Sequence, residues 1–124
     1  MKKWMYLWLA SLAIVAGAEN LSPLTVVSVA GKSILANASG LTVYTYDPDK
    51  PGVSNCNGGC AKAWPPVLVA SGTVLTAPLG VTIRQDGTTQ VTYEGHPVYT
   101  YVGDSASGQT NGDGLGGIWH IVTE

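Results

Sequence analysis

The sequence predicts an all-β domain, a small sandwich or barrel built from two pseudo-symmetric repeats with long glycine-rich loops. The first observation is that residues 23–69 align with residues 78–124 without a gap, at a constant offset of 55 residues (99 − 44). The second is that short β-branched runs alternate with turn residues and lack helical periodicity. The third is the 16 Gly and 7 Pro of the chain, which lie mainly between these runs and suit tight turns.

A doubled motif defines the repeat: Tyr-x-Tyr-x-x-Asp, followed 15 residues later by Trp. Two tyrosines spaced by two on a strand point to the same face of the sheet. Because large rings dominate the burial energy of a small domain, we interpret the motif as structural core. An exposed aromatic surface for a ligand is the alternative. The motif residues are Tyr44, Tyr46, Asp49 and Trp64 in the first copy, and Tyr99, Tyr101, Asp104 and Trp119 in the second.

Each motif Asp falls where its predicted strand ends. An Asp at such a place commonly accepts hydrogen bonds from backbone N–H groups further along the loop. A buried Tyr hydroxyl or Trp indole N–H also needs a partner, and the Asp is the available acceptor. Both roles are structural, and together they explain why the three residue types recur as a set.

Residues 1–18 have the pattern of a signal peptide. Lys2 and Lys3 precede the uncharged apolar run 4–15, and Ala16-Gly17-Ala18 is a small-x-small cleavage site. The run is shorter than the roughly 20 apolar residues of a membrane span, so an uncleaved anchor is the less favoured alternative. We predict cleavage after Ala18, no lipid-bearing Cys near that site, and no membrane span in the mature chain. The predicted location is secreted or periplasmic.

Residues 19–124 have the length of one domain. Predicted strands occupy 24–30, 33–37, 41–47 and 67–70 in the first copy, and 79–84, 88–93, 97–102 and 118–122 in the second. Turns are expected at Gly31-Lys32, at 38–40, at 85–87 and at Glu94-Gly95, where Gly suits a positive φ. Two long loops follow Asp49 and Asp104, and any specific function is expected there first.

Charge excludes some partners. Without Lys2 and Lys3, the basic residues are Lys32, Lys50, Lys62 and Arg84, against 8 acidic residues. This composition has one Arg and no basic cluster, so nucleic acid is not an expected partner. The partner that we expect is extracytoplasmic and of unknown chemistry.

The two cysteines, Cys56 and Cys60, are spaced Cys-x-x-x-Cys. A disulfide is the expected state in an exported chain. It would stabilise the fold by only about 2 kcal/mol, because the closed ring is short. The alternative is a periplasmic copper or thiol-redox protein that uses both thiols and a histidine, His96 or His120. Each histidine alone is expected to be a surface residue.

No established catalytic motif occurs in the chain, and we therefore predict a non-catalytic protein without a cofactor or bound metal. A partial calcium-loop pattern lacks the Glu required at its twelfth position, which is Gly58 or Val122. A third alternative to a purely structural module is a carbohydrate-binding module that uses exposed Tyr or Trp rings.

The doubled motif resembles a bacterial family of predicted secreted repeat proteins and lipoproteins that share a Tyr-x-(Phe/Trp/Tyr)-x-x-Asp pattern. The similarity extends to Ser54-x-Cys56-x-x-x-Cys60-Ala61-x-x-Trp64-Pro65-Pro66 in the first copy. In the second copy it includes Gly114-x-Gly116-x-x-Trp119-His120. The resemblance covers nearly the whole mature chain. It implies an exported, repeat-built domain of unknown molecular function and supplies no catalytic residues.

Overall fold

The computed structural model describes residues 21–124, so the predicted signal peptide and its cleavage site lie outside the described residues. This part of the chain is mostly β-structure with little helix. The strands are β1 (Thr25–Val29), β2 (Lys32–Ala36), β3 (Tyr44–Tyr46), β4 (Leu68–Val69), β5 (Leu79–Ile83), β6 (Thr89–Tyr93), β7 (His96–Pro97) and β8 (Trp119–Ile121). The helices are α1 (Gly59–Ala63) and a single 3₁₀ turn (Leu115–Gly117).

The strands pair antiparallel in three sheets. β1 pairs with β2, β3 pairs with β8, and β6 pairs with β4, β5 and β7. None of these sheets is closed on itself. The mostly-β prediction is confirmed, whereas the finer description as a sandwich or barrel with glycine-rich loops stays a prediction.

The short helices were not predicted from the sequence. α1 forms where Cys60-Ala61-Lys62-Ala63 supplies residues that tolerate a helical backbone after a glycine pair. It ends at Trp64, and the two prolines that follow cannot continue a helix. The 3₁₀ turn lies at the corresponding place in the second repeat, so the two copies share this departure from β-structure.

Two tight hairpin turns use left-handed backbone at both central residues. Ala30 and Gly31 have φ values of 51° and 81° between β1 and β2, and Glu94 and Gly95 have 49° and 85° between β6 and β7. Such turns match the twist of the strands that they join. The positive φ predicted at Gly95 is confirmed, and the first turn lies one residue earlier than predicted.

The gapless alignment of the repeats is wrong inside the hairpins. The first turn has two residues, but its counterpart has three, because Arg84 N–H donates to the Thr88 carbonyl across residues 85–87. The next pair of turns reverses this difference: residues 38–40 form a three-residue turn, and 94–95 form a two-residue turn. The two differences cancel, so the sequence keeps its 55-residue offset outside them.

Hydrogen bonds locate the shifted segment. Val43 N–H donates to the Leu35 carbonyl at 3.1 Å, and Val98 N–H donates to the Val91 carbonyl at the same distance. Val43 and Val98 keep the offset of 55, whereas Leu35 therefore corresponds to Val91, one residue beyond it. The same shift makes Ile34 the counterpart of Gln90.

Two hydrophobic clusters hold the fold together, and each contains residues of both repeats. The aliphatic cluster contains Leu21, Leu24, Leu35, Val43, Leu79, Val91 and Val98. The aromatic cluster contains Tyr44, Cys56, Trp64, Tyr99 and Trp119, with Tyr46 and Tyr101 packed against it. Val43 and Tyr44 are adjacent in sequence and belong to different clusters, as expected from the alternation of side chains in extended chain.

Candidate functional site

Backbone pairing brings the two motif copies together. Tyr44 and Tyr99 lie opposite each other, and each donates its N–H to the carbonyl of the other, at 2.7 and 3.0 Å. β3 also pairs with β8, which places Tyr46 directly opposite Trp119. Residues far apart in sequence therefore meet at the contact between the repeats.

Four rings form one column in which the repeats alternate: Tyr46, Trp119, Trp64 and Tyr101. The two indoles at its centre are 3.7 Å apart and differ by 3° in plane. Each indole stacks at 4.2 Å on a terminal tyrosine of the other repeat. Offset stacking of this kind adds about 0.5–1.5 kcal/mol per pair beyond the burial of area. The column therefore joins the repeats.

Tyr44 and Tyr99 meet this column edge-on from its two sides. Tyr44 lies 5.3 Å from Trp64, and Tyr99 lies 5.4 Å from Trp119, with interplanar angles of 83° and 86°. Both tyrosines are fully buried. The interpretation of the motif as core agrees with this packing.

The hydroxyls of these two tyrosines donate across the repeat boundary. Tyr44 Oη–H donates to Asp104 Oδ2 at 2.6 Å, and Tyr99 Oη–H donates to Asp49 Oδ2 at 2.7 Å. The second oxygen of each Asp accepts a loop N–H, from Asn111 at 2.9 Å and from Asn55 at 2.6 Å. Both structural roles expected for the Asp thus occur together in each copy.

Burial controls the acidity of these groups. It raises the pKa of Tyr44 and Tyr99 far above that of an exposed tyrosine, and the neighbouring carboxylates add to the rise. Burial likewise raises the pKa of Asp49, although the N–H of Asn55 and the hydroxyl of Tyr99 oppose the rise. The tyrosines are therefore neutral hydrogen-bond donors at ordinary pH, poorly suited to act as nucleophiles or bases.

The Asn side chains reveal a second place where the repeats shift by one residue. Asn55 donates its side-chain N–H to the Pro48 carbonyl, and Asn111 donates to the Gly103 carbonyl. Since both also donate their backbone N–H to the motif Asp of their own repeat, Asn55 and Asn111 are counterparts. This equivalence also matches Ser54 with Thr110 and Asn57 with Asp113.

A buried polar network, missed in the sequence, lies beside one half of the cluster. Arg84 is 6% exposed. Its Nη1 donates to Ser54 Oγ and Gln90 Oε1, at 2.9 and 2.8 Å, and its Nη2 donates to the Cys56 carbonyl at 2.6 Å. Nη2 also donates to Asn57 Oδ1, at 3.3 Å.

Donors run in one direction through this network. The Tyr99 hydroxyl gives its proton to Asp49, so the Ser54 hydroxyl, 2.6 Å away, must donate to the Tyr99 oxygen. A chain of hydrogen bonds therefore leads from the Arg84 guanidinium through two hydroxyls to the Asp49 carboxylate. The available sequence signal was weak: Arg84 is the one arginine of the chain, but its partners are neutral and scattered.

The predicted disulfide is present. Cys56 and Cys60 are bonded, with Cα atoms 5.2 Å apart, and Cys56 is fully buried within the aromatic cluster. Disulfide sulfurs cannot act as thiolate ligands, because the thiolate is the form that binds metal. No group of three His, Cys, Asp or Glu side chains within residues 21–124 is placed to hold a metal ion.

The structure places the histidines outside the aromatic cluster. His120 Nε2 lies 3.0 Å from Asp47 Oδ2 in a solvent-exposed pair, and the His96 side chain is exposed at the start of β7. Neither belongs to the residues that pack in or against this cluster.

A carbohydrate platform would require exposed ring faces. The column covers both faces of each indole, and only Tyr46 and Tyr101, at its ends, are half-buried. Gly103 packs closely against the ring of Tyr101. The six rings of the motif therefore provide no continuous exposed surface.

Within residues 21–124, no helix has the length and apolar character needed to cross a membrane. Neither the curated proteins nor the solved structures include a significant match to the chain. One family model, described as a secreted repeat of unknown function, matches residues 25–68 and again residues 80–123. These two matches cover most of the chain and have the 55-residue offset of the doubled motif, and the chain therefore belongs to this family of secreted repeats.

Proposed function

We propose that the chain is an exported, non-catalytic module with a binding or structural role, and that its doubled motif serves to join its two repeats. The observation that carries this proposal is the pair of bonds from Tyr44 to Asp104 and from Tyr99 to Asp49. These bonds use the reactive groups of each motif to satisfy the other copy. Hydroxyls and carboxylates that are committed in this way are not free to bind a substrate.

The remaining chemistry supports the same proposal. The raised pKa values of Tyr44 and Tyr99 keep both phenols protonated. The sulfurs of Cys56 and Cys60 are joined. The family description as a secreted repeat agrees with export. The finer parts of the proposal are a signal peptide that ends at Ala18, a sandwich or barrel arrangement of the sheets, and a secreted or periplasmic location.

The test is intact-mass spectrometry of the protein recovered from the medium and from the cell envelope of an expressing bacterium. We expect a chain that begins at Glu19, lacks two hydrogens because of the disulfide, and carries no bound metal. Recovery of an uncleaved chain in the cytoplasm would contradict export. A stoichiometric metal ion that survives native purification would contradict the non-catalytic, metal-free proposal.

The alternative is a periplasmic copper or thiol-redox protein that uses Cys56, Cys60 and a histidine. It makes a distinct prediction: the reduced protein would bind about one equivalent of Cu(I) tightly, and would lose it on Cys56→Ser/Cys60→Ser substitution. Loss of binding on His96→Ala or His120→Ala substitution as well would establish this alternative. We expect instead that Cu(I) uptake is weak and unaffected by the histidine substitutions.

A further inference from the structure

The two halves of the domain differ where Arg84 lies. In one half, the Arg84 guanidinium fills the space between the end of β5 and the loop that contains Ser54 and Asn57. At the equivalent place in the other half, Val29 ends β1. Valine is too short to fill the corresponding space, and it has no polar group.

A pocket of about 160 Å³ occupies this second space. Its walls correspond to the groups that surround Arg84. Ile34 is the counterpart of Gln90, Thr110 is the counterpart of Ser54, and Asp113 is the counterpart of Asn57. The full lining is Val29, Ala30, Lys32, Ile34, Thr110, Asp113 and Ile121.

The charge around the pocket is also unbalanced. In the first half, the positive charge of Arg84 acts on the buried Asp49 and opposes the rise in pKa that burial causes. In the second half, Asp104 is only 6% exposed and Asp113 adds a further negative charge. Among residues 21–124 the single ion pair is that of His120 and Asp47, so neither carboxylate has a cationic partner.

We propose that this pocket binds a guanidinium group from outside the domain, in the position that Arg84 occupies within the other half. Asp113 Oδ1 accepts the N–H of Ile121 at 3.1 Å, which fixes the carboxylate at the wall of the pocket. Its second oxygen and the Thr110 hydroxyl are acceptors of the kind that a guanidinium fork requires.

The replacement of a neutral acceptor by a carboxylate fits an external ligand. Arg84 belongs to the chain and binds neutral acceptors without any cost of association. A separate cation loses translational freedom on binding, and the charge of Asp113 offsets part of this cost. Lys32 is exposed at the rim, and its ammonium opposes a second cation, so Lys32→Ala should tighten binding.

The source of the guanidinium is either an arginine side chain of a peptide or a free small guanidino compound. The two are separated by probes. N-acetylarginine methylamide mimics arginine within a chain, whereas methylguanidinium carries the head group alone. Tighter binding of the first probe indicates a peptide partner, and equal binding of the two indicates a free compound.

The experiment is a titration of the ¹⁵N-labelled exported protein with both probes, followed by amide chemical shifts. We expect saturable shifts centred on Val29, Thr110, Asp113 and Ile121, with methylammonium binding more weakly. Asp113→Asn keeps the acceptor for Ile121 N–H but removes the charge, and should weaken binding about tenfold or more. Shifts that do not saturate, or that are unchanged in Asp113→Asn, would overturn the proposal.

A self-filling variant gives an independent test. In Val29→Arg, the new guanidinium should enter the pocket, block both probes and raise the melting temperature. Ser28→Arg is the matched control, because it adds the same charge on the opposite, exposed face of β1 and should leave probe binding intact. Probe binding that survives in Val29→Arg, or is lost equally in Ser28→Arg, would contradict the assignment. The proposal does not depend on the structural role of the aromatic motif, and the two can fail separately.

Discussion

Tyr44 and Tyr99 are counterparts in the two repeats, and each donates its backbone N–H to the carbonyl of the other. A residue that pairs antiparallel with its own counterpart places a local two-fold axis between the two. The stacked pair of Trp64 and Trp119, 3° apart in plane, obeys the same symmetry. The repeats therefore meet through one self-complementary surface, as the subunits of a two-fold symmetric dimer do, but within one chain.

Loss of the cross-repeat hydrogen bonds should destabilise the fold. Asp104→Ala leaves the buried hydroxyl of Tyr44 without its acceptor and should lower the free energy of unfolding by about 1–3 kcal/mol. Asp49→Ala should cost less within that range, because Asp49 is only half-buried and Tyr99 keeps its contact with Ser54. Urea denaturation measures both changes.

Asp47→Ala is the control for this series. Asp47 is 54% exposed and pairs only with His120, so its loss should change stability by no more than about 0.5 kcal/mol. A double-mutant cycle of Tyr44→Phe and Asp104→Asn should show a coupling of about 0.5–3 kcal/mol. Additive effects would mean that the two side chains do not stabilise each other.

Stability should fall steeply in alkali. Burial raises the pKa of Tyr44 and Tyr99 above the ordinary value of 10.0, so in this range the unfolded chain loses protons before the folded one does. The contribution of each hydroxyl is fully present below pH 10 and is lost as the pH rises from there towards the folded-state pKa. Thermal melts between neutral pH and pH 11 should show this decline.

Phenylalanine variants identify the tyrosines responsible. Tyr44→Phe and Tyr99→Phe should each be less stable than wild type at neutral pH, and each should show a shallower decline above pH 10. The double variant should show the shallowest decline of all. A slope that is the same in wild type and in the double variant would exclude these two phenols as the cause.

Much of this arrangement was accessible from the sequence. The spacing of Tyr44, Tyr46 and Trp64, and its recurrence in the second copy, indicated an aromatic core before any coordinate was known. The disulfide followed from two cysteines in a chain predicted to be exported, and the strands followed from β-branched runs between glycines. These features depend on local patterns, which a sequence displays directly.

The partners across the repeats were not accessible. Tyr44 lies closer in sequence to Asp49 than to Asp104, and nothing in the motif shows which Asp accepts its hydroxyl. The one-residue shifts were hidden because turns of unequal length compensate each other. Arg84 gave no pattern, because a single cation whose acceptors are Ser54, Gln90 and backbone oxygen leaves no charge complementarity to detect.

Removal of the disulfide should have a modest effect. Cys56→Ala/Cys60→Ala opens a short ring and should lower the free energy of unfolding by about 2 kcal/mol. Alanine is the better replacement at position 56, because a serine hydroxyl in this fully buried place would need a partner. Urea melts of the oxidised wild type, the reduced wild type and the variant measure the change.

The reduced wild type and the alanine variant should unfold at similar denaturant concentrations, with near-native spectra before the transition. Complete unfolding of both in the absence of denaturant would show that the bridge, and not the aromatic cluster, maintains the first loop. It would also contradict the view that Asn111 and its neighbours hold the second loop by hydrogen bonds alone.

The close approach of Gly112 to the aromatic cluster gives the sharpest test of the packing. Its N–H donates to the Tyr44 hydroxyl at 3.2 Å, and its backbone lies against the indole of Trp64. A methyl group there would lie 2.6 Å from Trp64 Cη2 and 3.1 Å from Tyr44 Cζ. The indole cannot move aside freely, because Trp119 stacks on it at 3.7 Å and Tyr101 stacks on it at 4.2 Å.

Gly112→Ala should therefore lower the free energy of unfolding by about 1–3 kcal/mol through overpacking, and should weaken the near-ultraviolet circular dichroism of the stacked indoles. Gly59→Ala is the matched control. No atom lies within 4 Å of the methyl group that it would add, and alanine in α1 should leave stability unchanged or raise it by less than about 1 kcal/mol. Since neither glycine has a positive φ, a difference between the variants reports on contact with the rings. Equal unfolding curves and equal spectra for the two variants would show that Trp64 is not held where the column places it.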